Sequence, residues 1–177
     1  MKSSEGSCER IFNELVKIDG IAGSHKIEAS EKWDYFHAGL CTIHYNPKMN
    51  VLDENFIRIS LLHEEGHIRL QYRTLLFLTL LFIVILSIFF TNLDQHLKLI
   101  GSIILTLFSG WLFVLMDEYE SDKFASIVLR DKYNISKPSK ILEKTLEQMP
   151  HSWLSALTHP SVKKRVKNIV EKVDRNN

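Results

Sequence analysis

Apolar residues follow several rhythms along this chain, and each rhythm predicts a different kind of element. In Glu9 to Ile18 (ERIFNELVKI) they recur at helical spacing, which predicts a short amphipathic helix. Gly39 to Tyr45 (GLCTIHY) alternates as a half-buried strand does, and the turn-forming pair Asn46-Pro47 closes it. From about Glu54 the string FIRISLLHEEGHIRLQYR returns to helical spacing and runs on into Thr74 to Leu93, where apolar residues cover every face and no charge occurs. A second run of this kind, Leu99 to Met116 (LIGSIILTLFSGWLFVLM), follows after the short polar link NLDQHLK. Helical spacing resumes over Asp117 to Leu129 and again over Lys140 to Met149 and Pro160 to Val173. Together these patterns predict a mainly α protein with a small β element.

Each uncharged run is long enough to cross a bilayer, since about 20 helical residues at about 1.5 Å each span about 30 Å. A chain this short has too little remaining mass to wrap two helices that are apolar all round, which disfavours a pair of buried core helices. The predicted organisation is therefore a transmembrane helical hairpin over residues 74–116, with spans at about 74–93 and 99–116. It is inserted between two polar parts, 1–73 and 117–177, of one domain. Tyr72, Trp111 and Tyr119 lie near the span ends, as an interfacial belt does. Arg58, Arg69 and Arg73 precede the hairpin and Lys123, Arg130 and Lys132 follow it, whereas the link carries only Lys98. That asymmetry predicts an integral protein of the cell membrane with both termini and the active site in the cytoplasm. The opening MKSSEGSCERIFNEL lacks the apolar core of a cleavable signal peptide.

Composition sharpens this picture only after the hairpin is set aside. The 177 residues carry 22 Lys+Arg against 21 Asp+Glu, a net charge of +1. Nucleic acid is thereby disfavoured as a partner, because phosphate binding normally shows as a clear basic excess. Residues 74–116 contain one acid, Asp94, and one base, Lys98, so the polar remainder is equally balanced. Two cysteines, Cys8 and Cys41, are too few for a disulfide-built fold and read as free thiols.

The chemistry concentrates in His63-Glu64-Glu65-Gly66-His67, an H-E-x-x-H string within a helical pattern. A four-residue spacing brings both imidazoles to one helix face, within reach of one metal ion, and Glu64 stands close enough to handle a bound water. Zinc suits such a donor set and lowers the pKa of its water towards neutrality. In a chain with eight His the string also arises by chance, and a catalytic ion needs a third protein ligand. Asp117-Glu118-Tyr119-Glu120-Ser121-Asp122-Lys123-Phe124-Ala125 follows the second run directly. Glu118 and Asp122 share a helix face there, so Glu118 can complete the ligand set while Asp122 accepts a hydrogen bond from the remote nitrogen of a ligand imidazole. Glu120 competes with Glu118 for this role. Two crossings separate the histidines from Glu118, and an even number returns the chain to the side it left. His25, His37, His44, His96 and His151 fit no ligand spacing and read as surface or structural.

HEEGH, then EYESDKFA, then Thr158-His159-Pro160-Ser161-Val162-Lys163-Lys164-Arg165 resembles the M48 family of membrane-associated zinc metallopeptidases, in the family's order and with a membrane segment between the first two motifs. The resemblance spans roughly Gly39 to the C-terminus. It implies a zincin-like metallopeptidase domain with a gluzincin-type site: His63, His67 and Glu118 on one zinc ion, Glu64 as general base, and Asp122 behind a ligand. It further implies that His159 stabilises the transition state, that Arg165 supports the site, and that Gly39, Leu40, Cys41, Thr42 and Ile43 lie on an edge strand receiving an extended peptide. Members of the heat-shock branch carry two spans before the H-E-x-x-H, whereas this chain has only the hairpin between its motifs.

The expected function is that of a membrane-bound zinc endopeptidase acting on membrane or membrane-proximal polypeptides. The alternative is a catalytically inactive metal-binding membrane scaffold. Glu64, which a structural zinc site does not need, favours the enzyme. His67 lies about seven residues before the first span, about 10 Å of helix, so the metal is expected just above the membrane face.

Overall fold

The computed structural model describes residues 6–149 and 159–176. Helix α1, Ser7–Lys17, buries Cys8, Ile11, Phe12 and Leu15, the apolar stripe that predicted it. Strands β1 (Lys26–Ala29), β2 (Phe36–Ala38) and β3 (Thr42–Tyr45) form one sheet in the order β1-β3-β2. β3 runs parallel to β1 and antiparallel to β2.

This sheet corrects the expected substrate strand. Gly39, Leu40 and Cys41 lie in the turn between β2 and β3, closed by the Gly39 N–H donating to the Thr42 carbonyl at 2.7 Å. Thr42 and Ile43 belong to β3, which is flanked on both sides and so offers no free edge. The alternation in GLCTIHY reports that Ile43 and Tyr45 are buried, and burial says nothing about how many strands lie alongside. β2, an edge strand, packs more extensively than β3 on the helix that carries HEEGH.

A 3-10 helix, Pro47–Val51, opens with Pro47 at its first turn, and the Asn46 side chain accepts from the Lys48 N–H at 3.0 Å. Helix α2 then runs unbroken for 36 residues, Glu54–Phe89, capped by the Asp53 carboxylate on the Asn55 and Phe56 N–H groups. Helix α3 follows for 39 residues, Gln95–Tyr133, capped in the same way by Asp94. The first apolar run thus leaves the helix four residues before Leu93, because the chain must turn through Phe90–Leu93 to reach the cap at Asp94. α3 ends at Asn134 in the left-handed region (φ 55°), which an Asn side chain tolerates. Helices α4 (Pro138–Gln148) and α5 (Val162–Lys172) and a 3-10 turn (Asp174–Asn176) complete the described chain. His151 lies outside the described residues.

α2 and α3 are two rods side by side, and the core surrounds only one end of them. There Ile57, Leu61 and Leu62 of α2 and Ala125 and Leu129 of α3 meet Ile11 and Leu15, Ile43, Leu142 and Ile169 from the other elements, all essentially inaccessible to solvent. Beyond Gln71 the apolar side chains turn outward: Leu78, Phe82, Ile104 and Leu107 are all more than half exposed. The most apolar stretches of the two rods are 0 % and 6 % buried. Both helices are thus long and apolar enough to cross a membrane, and neither is covered as the core helix of a soluble protein would be.

Candidate metal centre

HEEGH lies on the part of α2 that faces α3, and what brings the rods together there is Gly66. A Cβ at that position would stand 2.8 Å from Ser121 Cα and 3.0 Å from Ser121 Cβ, closer than atoms pack. The contact sets the stretch from Asp117 to Asp122 directly opposite His63 and His67.

Three donor atoms converge across it. His63 Nε2 and His67 Nε2 are 3.0 Å apart, His67 Nε2 is 3.5 Å from Glu118 Oε1, and His63 Nε2 is 3.7 Å from Glu118 Oε2. A tetrahedral ion with nitrogen and oxygen ligands at about 2.0–2.1 Å spaces its ligand atoms by about 3.3 Å, so this group can hold a metal ion. The far side of each imidazole supports that reading. His63 Nδ1 lies 3.0 Å from Asp122 Oδ1, and His67 Nδ1 lies 2.6 Å from Asp117 Oδ2 and 3.2 Å from Ser121 Oγ. With Nδ1 of each ring turned towards a carboxylate, both Nε2 atoms face Glu118, the orientation that imidazoles take when they share a metal ion.

The electrostatics tell the same story. Burial opposes charge on His67, yet hydrogen bonds to Asp117 and Glu118 outweigh it and raise the imidazole to about 10. Glu118 is also buried, and the His67 hydrogen bond with the charges of His63 and Arg165 nonetheless holds its carboxyl well below the usual range. Three carboxylates, Asp117, Glu118 and Asp122, crowd the two imidazoles, and the cluster draws positive charge. Arg165 of α5 supplies part of it, donating two hydrogen bonds of 2.6 Å to Asp122 and lying 3.0 Å from Glu118 Oε2. The guanidinium is itself buried, so its charge is not screened by water.

Glu64 points into a cavity of about 220 Å³ that also receives His63, Glu118, Asp122, His159 and Arg165. Its opposite wall is apolar, with Leu142 and Leu146 of α4, and Tyr35 and Phe36 close it at β2. Among the described residues the Glu64 carboxylate has no hydrogen bond or ion pair. His159 Nε2 is 3.2 Å from Glu118 Oε1, which brings the third sequence motif to the same place. Glu120 turns away and pairs with Lys123 at 3.5 Å.

The sequence residues His63, Glu64, His67, Glu118, Asp122, His159 and Arg165 are thus gathered at one centre, whereas Gly39, Leu40, Cys41, Thr42 and Ile43 do not line it. Sequence reasoning missed Asp117 and Ser121. They are four apart on a helix face beside that of Glu118 and Asp122, a spacing that could have flagged them. It also missed Glu65, which is fully buried and receives the Arg69 Nε–H at 2.7 Å and lies 2.7 Å from His25 Nδ1. That trio ties the loop before β1 to the back of the HEEGH turn, and it agrees with reading His25 as structural. Cys8 and Cys41 are free thiols. Comparison with protein-family models, with curated proteins and with solved structures finds no match to this chain.

Proposed function

We propose that this chain is a membrane-bound, zinc-dependent endopeptidase of zincin-like fold, of the kind its motifs resemble in the M48 family. It hydrolyses peptide bonds of polypeptides in or near the membrane. The observation that carries the proposal is that Glu64 lines the same cavity as a His63-His67-Glu118 group spaced for a tetrahedral ion. A site built only for stability has no use for Glu64; a hydrolase needs a base there.

A zinc ion held by His63, His67 and Glu118 supplies a Lewis acid and a water of lowered pKa. The chain's own groups do the rest. Glu64 takes a proton from the attacking water at its carboxylate and returns it to the leaving amine. His159 donates a hydrogen bond to the developing oxyanion. Asp117 and Asp122 hold the ligand imidazoles in orientation, and Arg165 keeps Asp122 ionised. An extended peptide reaches the cavity along β2, whose outer side is a sheet edge. With residues 74–93 and 99–116 in the bilayer and both termini cytoplasmic, the centre stands about 10 Å above the membrane face, suited to chains emerging from it.

The test compares the purified protein with Glu64→Gln in detergent, following casein cleavage and self-cleavage beside metal content. The proposal expects cleavage to fall by at least about 10²-fold with metal retained. Equal cleavage by both proteins overturns it and leaves the metal-binding scaffold.

A further inference from the structure

We infer that the turn joining β2 to β3, with Leu40 at its tip, is a third point of contact with the lipid bilayer, docking into the headgroup region on the side of the metal centre. The inference rests on reading residues 74–116 as membrane spans. Leu40 is 82 % exposed, and among the described residues outside 74–116 only Val51 and Tyr72 are comparably exposed large hydrophobic residues. Val51 precedes α2, about 20 residues and so about 30 Å of helix from Thr74. Leu40 sits at the other end.

The turn is fastened at that level by a named bond: Gln71 Nε2 donates to the Gly39 carbonyl at 2.7 Å. Gln71 is three residues, about 4.5 Å of helix, before Thr74, where the uncharged run begins. Tyr72 is exposed beside it, with the Arg73 Nε–H donating to its hydroxyl at 3.1 Å, an aromatic and a cation of the kind found at a membrane interface. The turn is also stiff. The Gly39 N–H closes onto the Thr42 carbonyl, and the Lys26 N–H donates to the Cys41 carbonyl at 3.0 Å. A Cβ at Gly39 would stand 3.0 Å from the Thr42 carbonyl oxygen, so glycine permits the closure. Leu40 is therefore presented at little conformational cost, and the exposed Lys26 side chain at the base of the turn suits anionic headgroups. The Gln71–Gly39 bond thus sets the turn beside the start of the apolar belt. Two spans joined by a short loop leave the domain free to lean about the hairpin; a third contact fixes which side faces the bilayer.

Cys41 makes this directly testable, because it is exposed whereas Cys8 is buried. The full chain is reconstituted in phosphatidylcholine–phosphatidylglycerol nanodiscs, and an environment-sensitive fluorophore is placed at Cys41. Two further labelled proteins carry Cys41→Ser with either Phe82→Cys, within the first span, or Val51→Cys. The expected result is that lipids spin-labelled near the headgroup quench the Cys41 probe and that it is several-fold less accessible to aqueous iodide than the Val51 probe. Leu40→Asp is expected to return the Cys41 probe to the iodide accessibility of the Val51 probe, with the metal content of the chain unchanged. A Cys41 probe that behaves like the Val51 probe while the Phe82 probe is lipid-quenched overturns the docking turn and leaves the spans standing. A Phe82 probe that is itself open to iodide overturns the spans, and the turn with them.

Discussion

Each ligand imidazole at the centre has its own carboxylate, Asp122 for His63 and Asp117 for His67, and the two pairs differ in depth. Asp122 is fully buried and shared with Arg165, so removing either partner leaves a charge stranded in a low-dielectric interior, a loss of about 3–5 kcal/mol. Asp117 is partly open and acts on His67 alone, which makes it the cleaner probe of ligand orientation. Asp117→Asn keeps the shape and removes the charge that fixes the His67 tautomer. We expect it to weaken metal binding about 10–100-fold with the fold intact, measured by competition with a chromophoric chelator. Unchanged affinity would show that Ser121, at 3.2 Å from the same nitrogen, suffices to orient the ring. The candidate metal group of His63, His67 and Glu118 was legible in the sequence because helical spacing puts its members on faces. Arg165 was not legible on its own, since KKRVKNIVEKVDR reads as an exposed basic helix; only packing of α5 against α3 turns that one side chain inward.

At the level of elements, α2 and α3 each do two jobs with one continuous helix. One end carries donors and core residues and the other carries an apolar surface on all sides. Gly66 is where the jobs are joined, because it sets the distance between the rods at the metal centre. Gly66→Ala would raise helix propensity by about 1 kcal/mol and would, in an exposed helix, stabilise it. Here the added methyl meets backbone of the facing helix, and the expected outcome is a net loss of about 1–3 kcal/mol with lower metal occupancy, read by thermal melting in detergent and metal analysis. A melting temperature at or above that of the unmodified protein would show that the rods can part without harm. The helices themselves were legible to within a few residues, since each carries a run of apolar residues at helical spacing or on every face. The sheet was not. β1 (KIEA) and β2 (FHA) are three or four residues long and mostly not buried, so they leave no period to detect, and nothing in GLCTIHY shows that β3 lies between two other strands.

Across the whole molecule, the packed core lies at one end and draws none of its residues from the apolar stretches beyond it. Phe77 and Phe113 stack at 4.6 Å, so the rods are still side by side where the exposed apolar surface begins. Replacing residues 77–113 with a short Gly-Ser linker should therefore give a water-soluble protein that still binds one metal ion per chain, checked by sedimentation and metal analysis. Aggregation with loss of metal would mean that the hairpin clamps the two halves of the site. The sequence by itself determined the helical class, the uncharged hairpin and the residue types of the candidate metal group, because all of these depend on periodicity, length and chemistry within single segments. Only the tertiary structure decided which acid serves which imidazole, that Glu65 is a buried tie and Arg165 a buried charge, and that the β2–β3 turn abuts the start of the first apolar run. Those facts depend on which segments pack together, and close packing between elements distant in sequence leaves no local pattern to read.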